Sequence, residues 1–177
     1  MNIPNILTLS RIVILPLLIV LYYLDPTPTS LEALSLTMAI LFALGAFTDF
    51  LDGYIARKYK LVTNFGKFAD PLADKLLVLA AILILMAREV IPLWTVMVIL
   101  AREFIVTGMR LVAVDLGIVI AASWWGKAKT FVTMGGLILL FFFVQPLGLW
   151  IYYIGVALTI VSGVEYLIAN KQVFKNP

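Results

Sequence analysis

The 177-residue chain has no cysteine and no histidine. The first absence excludes disulfides, thiolate chemistry and cysteine-based zinc sites. The second removes the usual proton carrier at neutral pH and the commonest metal ligand. Charge is also scarce, at 13% of residues against about 25% in soluble domains. Hydrophobic residues make up 63% of the chain and the mean hydropathy is +1.09. This is the composition of an integral membrane protein. Any catalysis must then run on carboxylates, Lys, Arg, Tyr or hydroxyls. Any bound metal must accept oxygen ligands, which suits hard cations such as Mg2+ or Mn2+.

What the chain does have is apolar runs. A membrane-crossing helix needs about 20 mostly apolar residues, and six stretches meet that requirement, roughly 5–24, 31–57, 66–88, 91–115, 124–144 and 147–169. The expected fold is all-α: a polytopic membrane protein of six transmembrane helices forming one domain over residues 1–177. Turn chemistry separates the runs at Asp25-Pro26-Thr27-Pro28, Lys58-Tyr59-Lys60, Arg88-Glu89 before Pro92, Asp115 to Ser123, and Gln145-Pro146. The last break is the faintest, because the chain from Phe141 to Ile154 is apolar almost throughout. No small-residue cleavage site follows the first run, so it reads as a retained span.

Basic residues set the expected orientation. Arg57, Lys58, Lys60 and Lys67 fall between the second and third runs, Lys127 and Lys129 near the start of the fifth, and Lys171 and Lys175 at the end. The opposite side carries Arg88 beside Asp25, Glu32 and Glu89. Both termini are thus expected in the cytoplasm, with Arg11 at the same interface. Trp124 and Trp125 suit an interfacial belt.

Four of the ten acidic residues fall within 26 positions: Asp49, Asp52, Asp70 and Asp74. A charge at the bilayer centre costs about 2.5–3.5 kcal/mol on insertion scales, so this clustering asks for compensating cations. Asp49, Asp52, Gly53 and Ala56 share one helical face, and Gly66, Asp70 and Asp74 repeat at four-residue intervals on the next span. The short basic connection makes the two spans antiparallel neighbours, so four carboxylates can converge as in a two-metal site. Ion pairing with Arg57 or Lys75 and close helix packing at Gly53 and Ala56 are the plainer readings of single members. They account poorly for four acids in register.

The segment resembles the signature of the CDP-alcohol phosphotransferases, D-x2-D-G-x2-A-R-x8-G-x3-D-x3-D. Asp49, Asp52, Gly53, Ala56, Arg57, Gly66, Asp70 and Asp74 fill every fixed position. The resemblance implies a membrane enzyme that moves a substituted phosphoryl group from a CDP-linked lipid to an alcohol and releases CMP. It also implies two divalent cations, Mg2+ or Mn2+, on Asp49, Asp52 and Asp70, with Asp74 as the base and as a further ligand. Gly53, Ala56, Arg57, Thr63 and Gly66 would hold the CDP-lipid. The opening Asn5-Ile6-Leu7-Thr8 resembles a segment that borders the nucleotide, and its plainer reading is a polar helix start.

A second polar cluster bears on the acceptor. Arg102 and Glu103 fall near mid-span in the fourth run, with Arg110 eight residues later on the same face, and Lys127 and Lys129 open the fifth. Arg102, Arg110, Lys127 and Lys129 are expected to bind an acceptor's phosphate, since Arg grips phosphate bidentately and Lys as a point charge. A positive-inside bias for the lysines, and an ion pair of Arg102 with Glu103 or Asp115, are the alternatives. The stretches around Arg102–Arg110 and 123–130, and the opening with Thr8 and Arg11, resemble bacterial phosphatidylglycerophosphate synthases, a branch of that family. That implies CDP-diacylglycerol and glycerol 3-phosphate as substrates, a homodimer, and a place in the bacterial cell (inner) membrane with the site facing the cytoplasm. No nucleic acid is expected as a partner. Phosphatidylinositol-phosphate synthase is the neighbouring alternative, and a divalent-cation or proton-coupled transporter the alternative of another class.

Overall fold

A computed structural model describes residues 3–25, 32–59, 63–118, 120 and 123–174. Every helical expectation is met within a few residues: α1 Ile3–Leu24, α2 Ala33–Lys58, α3 Asn64–Ala87, α4 Leu93–Asp115, α5 Trp124–Phe141 and α6 Gln145–Ala169, followed by a short 3-10 helix, Lys171–Phe174. Among the described residues the protein is all-helical. Two of these segments, Asn5–Leu24 and Gln145–Ala169, are long and apolar enough throughout to cross a membrane.

The break between the fifth and sixth runs falls earlier than the sequence suggests. It lies at Phe142–Val144 rather than at Gln145-Pro146, and Pro146 sits inside the first turn of α6. A proline at that position loses no helical hydrogen bond, because the first N–H groups of a helix have no partner in any case. The stop is made by backbone geometry instead. Phe143 takes a left-handed φ of 59°, the Phe143 N–H donates to Leu140 O (3.1 Å), and the Val144 N–H donates to Leu139 O (3.0 Å). This is a Schellman ending. The same pair of bonds closes α3 around Glu89 (φ 57°) and α4 around Gly117 (φ 69°).

The chain forms two compact units, Met1–Val90 with Leu137–Gln145, and Ile91–Gly136 with Pro146–Pro177. In the first, α1, α2 and α3 pack on one another. They come closest at Gly45 of α2, where a Cβ would stand 2.8 Å from Leu77 Cδ2 of α3 and 3.6 Å from Ile14 Cδ1 of α1. Buried Ala69, Ala73, Leu77 and Ala81 form a four-residue stripe along α3, the small-residue spacing that lets backbones approach. Phe42 meets Phe141 at 4.9 Å between ring centroids. At the other end of α1, Arg88 Nη2 donates to Asp25 O (2.8 Å) and its guanidinium lies 6.0 Å from the Tyr22 ring. Burial pulls the Arg88 pKa down and the Asp25 charge opposes that shift.

In the second unit α5 and α6 approach through glycines. A Cβ on Gly136 would meet the Tyr152 backbone N at 2.7 Å, and one on Gly155 would meet Thr133 Cα at 3.0 Å. Tyr152 Oη donates to Thr95 Oγ1 (2.9 Å), tying α6 to α4 inside the core. Val106, Met109 and Ala113, one stripe of α4, pack with Tyr166 and Val173. In each unit the core is mainly apolar but also takes in polar side chains such as Thr8, Arg11, Ser35, Thr95, Thr159 and Ser162, while large apolar residues such as Val13, Phe104, Leu111, Phe131 and Trp150 are exposed. A soluble monomer rarely exposes apolar surface on this scale.

Candidate active site

Two groups of polar side chains carry the candidate chemistry, one in each unit. The first gathers at the N-terminal ends of α1 and α3. Thr63 is the N-cap of α3, and its hydroxyl accepts from the Gly66 N–H at 3.0 Å, satisfying one of the orphan donors of a helix start. The same hydroxyl donates to Asn5 Oδ1 of α1 at 3.0 Å. One turn further along α1 and about two turns along α3, the Thr8 hydroxyl donates to Asp70 Oδ1. The polar opening of the chain is therefore more than a helix cap. It is tied at two points to the helix that carries Asp70 and Asp74.

Gly66 lies at the centre of this group. A Cβ there would stand 3.2 Å from Thr63 Oγ1, 3.3 Å from Asn5 Oδ1 and 3.5 Å from Asp70 Oδ2. Any larger side chain would push into all three. Asp70 and Asp74 are both partly buried and one turn apart on an unbroken helix, beside the buried Ala69–Ala73 stripe. Thr8 and Arg11, also one turn apart, are both fully buried on α1. The three-residue offset of Arg11 from Thr8 puts both on the inward face of α1.

Asp49, Asp52, Gly53, Ala56 and Arg57 lie on the unbroken helical backbone of α2, which puts positions 49, 52, 53 and 56 on one face. Their side chains fall outside the described residues, and the expected convergence of four carboxylates falls there with them. Among the described residues no three acids come together as a metal-binding group. The donor set that is described fits a hard cation nonetheless: Asp70 and Asp74 offer carboxylate oxygens one turn apart, with no nitrogen or sulfur ligand near them in a chain that has no His or Cys.

The second group joins α4, α5 and α6. Arg102 Nη1 and Lys129 Nζ both contact Glu103 Oε1, at 2.9 Å and 2.6 Å. Arg102 Nη2 reaches Ser162 Oγ at 3.4 Å. The arginine passes between two glycines: a Cβ on Gly163 would stand 3.1 Å from Arg102 Cγ, and one on Gly126 would stand 3.4 Å from Arg102 Nη2. Its Nε is buried and has no hydrogen-bond partner among the described residues. The side chains of Arg102 and Lys129 are only 14% and 11% exposed, so their charges are poorly screened. Of the two ion pairs open from the sequence, the one with Glu103 is formed.

The four expected cations do not all meet. Arg110 is eight residues, about 12 Å of helix axis, beyond Arg102. It is exposed, its Nε donates to Tyr166 Oη (3.2 Å), and its guanidinium lies 5.7 Å from that ring. Lys127 is exposed at the start of α5. Ser162 and Gly163 of α6 were not expected at any site. Their sixty-residue separation from Arg102 leaves no local signal.

Comparison with known proteins identifies the family of the chain. The CDP-alcohol phosphatidyltransferase family profile matches residues 1–161. A Bacillus subtilis (strain 168) protein named CDP-diacylglycerol–glycerol-3-phosphate 3-phosphatidyltransferase is 42% identical, over 98% of this chain and 97% of its own length. Proteins of the same name from Rickettsia felis and Haemophilus influenzae are 38% and 35% identical, over 98% and 96% of this chain and 97% and 94% of their own lengths. With a profile matched over most of its length and relatives aligned nearly end to end, the chain belongs to the CDP-alcohol phosphatidyltransferase family.

Proposed function

We propose that this protein transfers the phosphatidyl group from CDP-diacylglycerol to glycerol 3-phosphate, giving phosphatidylglycerol phosphate and CMP. The observation that carries this reading is the near end-to-end similarity to relatives bearing that activity in their names. The buried pair of Arg102 and Lys129 supports a phosphorylated acceptor in particular.

Asp49, Asp52, Asp70 and Asp74 would hold two divalent cations, Mg2+ or Mn2+. When bound, the cations neutralise the pyrophosphate and the charge that develops on departing CMP. Asp74 takes the proton of the acceptor hydroxyl as that oxygen bonds to the lipid phosphorus and the bond to CMP breaks. Thr8 fixes the rotamer of Asp70. Asn5, Thr63 and Gly66, with Gly53, Ala56 and Arg57, line the place of the CDP-lipid, and Gly66 keeps the floor of that place low. Arg102 and Lys129 hold the acceptor's phosphate, and Arg110 and Lys127, which do not meet them, add positive charge at longer range.

The many large apolar side chains left exposed on the helices support a bilayer setting. In that setting the six helices are six spans of one domain, with both termini and the site on the cytoplasmic side of the bacterial inner membrane. The working form is a homodimer. An assay of the purified protein with CDP-diacylglycerol tests the reading. CMP should appear with glycerol 3-phosphate and Mg2+, and stop with EDTA. Product with inositol phosphate in place of glycerol 3-phosphate would replace the acceptor and keep the reaction.

A further inference from the structure

The acceptor reading leaves one charged residue in the second group without a role. Glu103 sits beside Arg102 on α4 and is the point at which Arg102 and Lys129 are joined. We propose that Glu103 is the positioning residue of the acceptor-phosphate site, holding the two cations on one carboxylate oxygen as a preassembled pair. This inference rests on the acceptor reading above and deepens it.

Three observations carry it. The two contacts converge on the same atom, Oε1, from different helices, so one anion fixes two side chains at once. Both are charge-assisted and short, the class of contact that sets geometry most firmly. The carboxylate also leaves most donors of the pair uncommitted. Arg102 has five N–H groups. One side of Nη1 is used by Glu103, Nη2 has only the long contact to Ser162, and the buried Nε has no partner among the described residues. A phosphate brings enough acceptor oxygens to answer such donors, and a carboxylate already occupied by two cations does not.

Charge balance explains why a carboxylate serves here. Two cations brought together in a poorly screened place repel each other and, left alone, swing apart. One intervening carboxylate holds them at net charge +1, enough to draw a dianionic phosphate. Gly126 and Gly163 finish the arrangement by confining the arginine stem, so that the guanidinium has one course between α5 and α6. Arg102 is thus aimed by Glu103 at one end and by two glycines along its length.

Steady-state kinetics of Glu103→Gln tests this. Gln keeps the size and one oxygen but loses the charge that both cations share. A charge-assisted hydrogen bond is worth about ten- to a hundred-fold in an equilibrium. The KM for glycerol 3-phosphate should rise about tenfold or more, with the KM for CDP-diacylglycerol and kcat close to the parent values. Glu103→Asp, which keeps the charge on a shorter arm, should restore most of the loss, and it carries the test alone if E103Q does not fold. An unchanged glycerol 3-phosphate KM in E103Q overturns the proposal. So does a lowered one, which would make Glu103 a competitor of the phosphate. Lys129→Ala separates the two levels of inference. If it raises the same KM while E103Q does not, only the role of Glu103 falls. If it leaves that KM unchanged, the acceptor reading falls as well.

Discussion

The two polar groups solve opposite problems. In the first unit an acid is steadied by a neutral hydroxyl, Thr8 on Asp70, and helix ends are joined through an amide and a second hydroxyl, Asn5 with Thr63. In the second unit buried cations are steadied by an anion of the chain itself, Glu103. A neutral donor orients a carboxylate without cancelling its charge, so Asp70 keeps its capacity to attract a cation. A charged partner cancels part of what it orients, so Arg102 and Lys129 attract an anion only to the extent that they outnumber Glu103. The first arrangement suits tight metal ligation, and the second suits reversible capture of a soluble substrate.

That contrast can be broken by substitution, beginning with the acids. Asp74→Asn should lower CMP release by about a thousandfold, the middle of the range for loss of a positioned base, while CDP-lipid binding persists. Near-normal turnover in that variant would dismiss Asp74 as the base. Next comes the neutral donor. Thr8→Val keeps the shape and removes the hydroxyl, and should lower activity about 10–100-fold, as for other supports of metal-ligating carboxylates. The Mg2+ concentration for half-maximal rate should rise with it, and Thr8→Ser should recover both. If Thr8→Val raises only the KM for glycerol 3-phosphate, the division of labour between the two groups is wrong.

Smaller effects sharpen the comparison within the second unit. Gly163→Ala puts a methyl 3.1 Å from Arg102 Cγ, and should raise the glycerol 3-phosphate KM several-fold, roughly the effect of 1 kcal/mol. Gly155→Ala meets backbone at Thr133 instead, with 3.0 Å to Cα. Its effect should be on stability, about 1–3 kcal/mol of overpacking, seen as a lower melting temperature in detergent with both KM values unchanged. The smallest effect should have the opposite sign. The Schellman endings of α3 and α4 are alike except that Glu89 stands where the other has Gly117. Glu89→Gly should relieve about 1 kcal/mol of left-handed strain and raise the melting temperature slightly.

Most of the helical plan was readable because apolar run length reports directly on helices of this size. The miss at Phe142–Val144 has a physical cause. Gly or Pro ordinarily marks a helix stop in a sequence, whereas this stop is a left-handed Phe143 held by two backbone bonds. The spacing of the acids was readable as one helical face on each of α2 and α3, and the structure describes Asp70 and Asp74 one turn apart on α3. The grouping of Arg102 with Lys129 and the pair of Arg102 with Glu103 were readable, but not that both cations share one Glu103 oxygen, since that meeting point is set by how α4 and α5 pack. The inward face of Arg11 was readable from its three-residue offset from Thr8. Ser162 and Gly163 belong to contacts that only tertiary structure creates.

In the bilayer setting proposed above, the adjacency of Arg102 and Glu103 has a consequence for how α4 inserts during synthesis. Each charge alone would burden the inserting helix by about 2.5–3.5 kcal/mol. Side by side on one helix, with 2.9 Å between their charged atoms, they enter as a neutral pair before any later segment exists. Lys129 arrives afterwards on α5 and finds its counter-charge already in place. On that reading the order of the chain lowers the net charge that α4 carries as it inserts, and Glu103 gives Lys129 of α5 a contact at which to dock.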